Sequence, residues 1–365
     1  MLSAKRLPKS IKAVKISSMY LREQTQKLYL GNVAVGGGSP ITVQSMTKTP
    51  TRDIEATVKQ IQDLAFSGCE IVRVAVPDME SALSLKEICL RSPIPVVADI
   101  HFDYRLALIA AKFVAGLRIN PGNIGADDRV KAVVEAAKEY NLPIRIGVNS
   151  GSLPKGLDPQ LSLGQRMAQT ALQEIARLQK YDFQKIKISV KAFDIEQTRQ
   201  AYTILAKSTP YPMHIGITEA GTSYSGLVRS CVGIGSILSQ GIGDTIRVSL
   251  SAPPVEEVRA GWEILKSLNL RRKGVSVIAC PTCARAQANI PALALAAEEA
   301  LREVEKPLTV AVMGCAVNGP GEASSADLGL ACGAGHGVLF RRGEKIGEVD
   351  EKNYLQALLE QVSLW

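Results

Sequence analysis

Three cysteines and one glutamate near the C-terminal end have the types and spacing to hold an inorganic group. Two of the cysteines stand in Ala279-Cys280-Pro281-Thr282-Cys283-Ala284-Arg285. The third stands in Met313-Gly314-Cys315-Ala316-Val317-Asn318-Gly319-Pro320-Gly321-Glu322. A Cys-x-x-Cys pair alone can bind zinc, hold an iron–sulfur cluster or form a redox disulfide. A third cysteine in a loop full of Gly and Pro favours the cluster, because such a loop can wrap an inorganic core and point backbone N–H groups at its sulfurs. Clusters usually take four thiolates. Three thiolates and one weaker oxygen ligand would leave one iron replaceable, as catalytic metal sites keep one open position. Structural zinc is the competing reading, but its motifs usually supply two Cys or His per knuckle, and the second stretch supplies one Cys and a Glu.

Other candidates lie upstream. Asp99 and His101 close the run Ala98-Asp99-Ile100-His101, and the chain has only three histidines. A histidine beside an acid at a strand end suits substrate contact or proton handling. Glu219, in Thr218-Glu219-Ala220-Gly221, is either an acid for the reaction or a partner for an arginine, and the sequence leaves these equal. His214 reads as structural. Cys69, Cys89 and Cys231 have no paired spacing and read as small buried hydrophobes.

The elements that must position these residues alternate strand and helix. Strands are expected at 41–46, 71–76, 95–100, 116–120, 143–149, 185–191, 213–219 and 244–250, with amphipathic helices such as 54–67, 127–139 and 165–178 between them. Eight β–α units over about 250 residues predict a TIM (β/α)8 barrel. Several strands carry polar residues at period two, which puts each set on one face: Arg118 and Asn120; Arg145, Gly147 and Asn149; Lys187, Ser189 and Lys191; Arg247, Ser249 and Ser251. The residues between them are Ile, Val and Leu, suited to the helix-facing side. Barrel interiors are normally filled with branched apolar side chains, so this pattern predicts a polar, net-positive lumen that suits a compact, highly charged anion.

The formal charge of +8 agrees with an anionic ligand. Aromatic residues make up 5% of the chain and no outer stripe interleaves them with bases, which speaks against nucleic acid. No apolar run approaches the roughly 18 residues of a membrane span. Seven cysteines, an odd number, and no signal peptide point to a reducing cytoplasm. The domains expected are an N-terminal arm at 1–27, a barrel at 28–270 and a smaller α+β metal domain at 271–365. The last reads as strand, helix (291–305), strand, Gly-rich loop, hairpin (338–340 and 345–349) and helix.

Four stretches carry a resemblance that runs from about Leu28 to the end: Gly314–Glu322 above, Val43-Gln44-Ser45-Met46-Thr47, Ala98-Asp99-Ile100-His101-Phe102-Asp103 and Arg118-Ile119-Asn120-Pro121-Gly122-Asn123. The chain resembles the bacterial 4-hydroxy-3-methylbut-2-enyl diphosphate synthases of the methylerythritol phosphate pathway. The resemblance implies a reductase that opens 2-C-methyl-D-erythritol 2,4-cyclodiphosphate with electrons from flavodoxin or ferredoxin. It implies a [4Fe-4S] cluster on Cys280, Cys283 and Cys315, and a homodimer in which barrel and cluster domain meet across chains. It assigns substrate contacts to Arg73, Asp99, His101, Arg118, Asn120, Arg145, Asn149, Lys191, Arg247, Ser249 and Asn318, and an acid near the cluster to Glu219. For the fourth ligand it implies Glu322, which closes the Asn318–Gly321 turn, over Cys332. A zinc-stapled barrel that binds a phosphorylated ligand or RNA without redox chemistry is the alternative.

Overall fold

The computed structural model describes residues 22–315 and 319–365, which form two compact units, one ending at Leu270 and the other Arg271–Trp365. Residues 1–21 of the expected arm, and Asn318, lie outside the described residues.

The first unit is a parallel eight-stranded barrel. Thr42–Met46, Ile71–Val76, Val96–Ile100, Gly116–Ile119, Ile144–Asn149 and Ile186–Lys191 follow one another, and His214–Ile215 and Thr245–Ile246 complete the ring. A parallel bridge between Ile188 and Met213 joins its two ends. The helix-facing side chains are the apolar ones at period two, among them Ile119, Ile144, Ile146, Val148, Ile186 and Ile188, all buried. Between strands run helices such as Ile54–Phe66, whose Val58, Ile61 and Leu64 are buried. Carboxylates open these helices. Asp53, Asp78 and Asp194 accept from the backbone N–H of Ala56, Ser81 and Gln197 at 3.0, 2.8 and 2.9 Å.

The seventh and eighth strands are two residues each, shorter than the expected 213–219 and 244–250. Side chains take over the ladder. Glu257 Oε1 accepts the Leu250 N–H at 3.1 Å, and Lys48 Nζ donates to the Leu250 carbonyl at 2.9 Å. In the seventh strand Gly216 breaks the run and Glu219 turns left-handed at φ 54°. A hairpin of Leu28–Leu30 and Val33–Val35, not foreseen from sequence, packs Leu30 and Val35 against Ile71 and Val97, near the N-terminal ends of the barrel strands.

The second unit is a five-stranded sheet in the order Ser276–Ala279, Thr309–Met313, Leu328–Cys332, His336–Arg341, Glu344–Asp350. Its first three strands are parallel, and the last two pair antiparallel. Helices Ile290–Ala300 and Tyr354–Ser363 bury Ile290, Ala297, Tyr354 and Leu358 with Val310, Val312 and Leu330. Leu328–Cys332 corrects the expected Gly-rich loop. It is a central strand, buried along its whole length, so it lacks the alternation that marks a half-exposed strand. The first helix ends at Ala300 rather than 305.

Candidate active site

The period-two residues of the barrel strands do face one another. Arg118 pairs in register with Asp99 on one side and Arg145 on the other; Arg145 pairs with Lys187, and Asn149 with Lys191. Arg118, Arg145, Lys187 and Lys191 are each at most 6% exposed. Charges so deep are costly unless paired, and two carboxylates pair with some of the site's cations.

Asp99 is the first. Its Oδ1 accepts from Arg118 Nη1 at 2.9 Å, and its Oδ2 lies 3.4 Å from Arg73 Nε. Burial alone would raise its pKa, but Arg73, His101, Arg118 and Arg145 outweigh burial and hold the carboxyl well below the ordinary range. Asp99 is therefore a fixed anion. The same Arg118 Nη1 lies 2.7 Å from His101 Nε2. A guanidinium can only donate, and His101 Nε2 also lies 3.5 Å from Asp99 Oδ1, so one ring nitrogen faces both partners of the ion pair. Arg73 also donates to Met46 Sδ from Nε and Nη2, at 3.1 and 2.8 Å. Burial, opposed by Asp99, brings its pKa down to about 9.

Glu257 is the second carboxylate, and sequence reasoning missed it. It lies in the first turn of helix Pro254–Ser267, where an acid reads as a routine match to the helix dipole. Its side chain is 1% exposed and inside the site: it accepts from Ser45 Oγ at 3.1 Å and lies 3.2 Å from Lys48 Nζ and 3.6 Å from Arg247 Nη2. Lys48, also missed, ties the first strand to the end of the eighth.

Two glycines make room for the cations. A Cβ on Gly147 would sit 2.7 Å from Arg118 Nη2 and 2.9 Å from its Cζ; one on Gly216 would sit 2.7 Å from Lys191 Nζ. Donors remain over. The three guanidinium nitrogens of Arg145, and Nε of Arg118 and of Arg247, are buried with no hydrogen-bond partner among the described residues. Burial and then neighbouring cations push the pKa of Arg145 and of Lys191 down. A buried lumen with surplus N–H donors and crowded positive charge is built to receive an anion.

The remaining barrel candidates sit toward the strand ends. Asn120 is buried and accepts the Gly122 N–H at 3.2 Å. Asn149 and Ser249 are half-buried, and Glu219 is exposed. The left-handed backbone of Glu219 is held by its surroundings: Arg229 Nη1 donates to the Ala220 carbonyl, and the Ser251 N–H donates to the Gly221 carbonyl at 3.0 Å. His214 is fully buried, and both ring nitrogens lack a partner among the described residues. Burial and then Arg145 keep it neutral.

In the second unit, Ala279 pairs with Val312 in adjacent parallel strands, so Cys280 and Cys315 leave the sheet at the same end. The Cys280 N–H donates to the Val312 carbonyl at 3.0 Å, and the Gln287 N–H donates to that of Gly314 at 2.9 Å, which stitches the two cysteine loops together. Cys280 is half-buried, Cys283 exposed and Cys315 buried. Thr282, between the first two, is left-handed at φ 62°, costly for a β-branched residue and common at functional sites. Glu322 is exposed, in the five-residue helix Gly319–Ala323. Cys332 is 0% exposed in the core beneath the helices, and burial pushes its thiol up to about 12.

Among the described residues no three His, Cys, Asp or Glu side chains close around one ion. The cysteines of an iron–sulfur cluster need not do so, since each thiolate takes its own iron. Three thiols in two stitched loops at one sheet end fit the donor chemistry of such a cluster.

Fold and site together define a two-unit enzyme class: a barrel whose lumen is lined for a multiply charged anion, followed by a cysteine-bearing sheet domain. The GcpE TIM-barrel domain matches residues 25–262 and the GcpE protein C-terminal domain matches 276–364. The chain belongs to the GcpE family. It is 58% identical to the 4-hydroxy-3-methylbut-2-en-1-yl diphosphate synthase (flavodoxin) of Dehalococcoides mccartyi strain BAV1, over 94% of this chain and 99% of that one. It is 52% identical to the enzyme of that name from Geobacter sulfurreducens, over 94% and 98%. Among solved structures it is similar to Yersinia pestis dihydropteroate synthase, with 13% identity and a TM-score of 0.48 over 67% of this chain and 98% of that one, a level from which nothing about chemistry follows.

Proposed function

We propose that this protein is a flavodoxin-dependent reductase that converts 2-C-methyl-D-erythritol 2,4-cyclodiphosphate to 4-hydroxy-3-methylbut-2-enyl diphosphate. The observation that carries the reading is the buried lumen with unspent guanidinium donors, set in a chain 58% identical to an enzyme named for that product.

Opening the ring breaks a carbon–oxygen bond and leaves a linear diphosphate with one more negative charge; a hydroxyl departs as water, and two electrons enter with protons. Arg118, Arg145, Lys191 and Arg247 hold the diphosphate, and their attraction grows as its charge rises, which is stabilisation of developing charge. Asp99 orients Arg73, Arg118 and His101 and offsets the repulsion between the two guanidiniums. Asn120, Asn149, Ser249 and Asn318 give neutral polar contacts, and Glu219 supplies a proton to the departing hydroxyl. A [4Fe-4S] cluster held by Cys280, Cys283 and Cys315, with Glu322 as its exchangeable oxygen ligand, would supply single electrons and a Lewis-acidic iron. The zinc-stapled alternative has no support from the relatives. Anaerobically prepared protein should be brown, absorb broadly near 400 nm and form the linear diphosphate from the cyclic one with reduced flavodoxin. Colourless protein with one bound zinc and no turnover would end this reading.

The working assembly is a homodimer in which the barrel of one chain faces the cysteine domain of its partner, in the cytoplasm, where thiols stay reduced. Mixing Arg145→Ala, strongly impaired alone, with Cys280→Ser, inactive alone, should then raise activity above the sum of the two, up to about half per mixed dimer by two-fold symmetry. Proven subunit exchange with no recovery would place each site within one chain.

A further inference from the structure

Beneath the lumen, towards the N-terminal hairpin, Arg145 and Lys187 line a cavity of about 10 Å³ whose other walls are mainly the apolar side chains of that hairpin and of the strand starts. That is room for about one water-sized atom. All three guanidinium nitrogens of Arg145 are buried without an acceptor among the described residues. Burial and then Arg145 push the pKa of Lys187 down, and its Nζ, which donates to Thr245 Oγ1 at 2.6 Å, keeps at least one further N–H donor in either protonation state. The other polar side chain on the wall is Gln44, whose Oε1 also lacks a partner and whose amide can turn its NH2 inward.

Donors thus outnumber acceptors around a space for one atom. A water there would bring two donors of its own to a wall that offers one side-chain acceptor. An anion only accepts, and its charge offsets a guanidinium that sits 4% exposed. We propose that this cavity is a binding site for a single-atom anion, chloride, held by Arg145, Lys187 and the Gln44 amide. The bound ion would act as a permanent counter-charge under Arg145, leaving the upper side of the guanidinium for the diphosphate. The inference concerns the floor of the barrel and stands independently of the reaction proposed above.

The test uses the full chain. Crystals grown in sodium bromide should show an anomalous difference peak between Arg145 and Lys187. Thermal unfolding should be delayed in chloride or bromide relative to gluconate, a bulky anion, at matched ionic strength. The gain should saturate, reaching about tenfold in the folding equilibrium at ten times the dissociation constant. Lys187→Met should lose the peak and most of the halide gain. If that variant does not fold, the wild-type map and anion series decide the matter. Absence of the peak, or equal stability in halide and gluconate, would overturn the proposal and leave a water at the site.

Discussion

In halide-free buffer, Arg145→Met should give a protein that is more stable than the wild type and a much poorer catalyst. The guanidinium is buried with three nitrogens unpartnered, and burial and surrounding cations disfavour its charge. A buried unsatisfied polar group costs about 1–3 kcal/mol, and an apolar side chain of similar length removes that cost, so unfolding should need more denaturant. The same change removes a charge-assisted contact to the diphosphate, about 1.5–3 kcal/mol, or roughly ten- to a hundredfold in kcat/KM. Arg118→Met should behave differently in stability. Arg118 bonds Asp99 and His101 at 2.9 and 2.7 Å, and removing it leaves Asp99 with the more distant Arg73 at 3.4 Å, a loss of up to about 3–5 kcal/mol for a broken buried pair. Urea unfolding alongside anaerobic kinetics separates the two. Activity of Arg145→Met within twofold of wild type would sink the lumen assignment. A drop in stability as large as that of Arg118→Met would show that Arg145 serves the fold.

Serine at Cys280, Cys283 or Cys315 should abolish turnover and remove most iron, whereas serine at Cys332 should spare both. All four cysteines lie in the second unit, and two features divide them. Cys280 and Cys315 leave paired strands at one end, with their loops joined by the Gln287-to-Gly314 hydrogen bond, and Cys283 is exposed beside the strained Thr282. Cys332 lies in the apolar core with its thiol pushed up to about 12, and it is the thiolate that ligates metal. Glu322→Ala should keep much of the iron, held by three thiolates, and lose most activity, because an oxygen ligand on a soft cluster is the one that yields to substrate oxygen. Iron content, visible absorption and turnover under strict anaerobiosis read all five variants. Loss of iron in Cys332→Ser with near-normal Glu322→Ala would reverse the assignment and make the cluster a four-thiolate electron relay.

Much of this was legible in the chain because it rests on local period. Apolar and polar residues alternating through Arg118–Asn120, Arg145–Asn149 and Lys187–Lys191 declare one wet face per strand, and eight repeats of strand and helix leave few ways to close. The cysteine stretches were equally plain, since ligand chemistry is written in residue type and spacing. What the tertiary structure decided was which charges meet. Glu257 looks like any acid in a first helical turn until the barrel closes and sets it between Lys48 and Arg247. The seventh and eighth strands look as long as the others, yet the seventh ends before Gly216 and the left-handed Glu219, and the eighth gives the Leu250 N–H and carbonyl to the side chains of Glu257 and Lys48. Leu328–Cys332 hides as a Gly-rich loop because a strand buried on both faces has no alternation to show. Arg145 reads like its neighbours in sequence, yet Arg73, Arg118 and Arg247 each lie beside a carboxylate, and the three guanidinium nitrogens of Arg145 have no partner among the described residues. Local pattern assigns a residue to a face, but the partner across that face comes from strands far away in the chain, and the partner determines whether a charge stabilises the fold or is left free to bind.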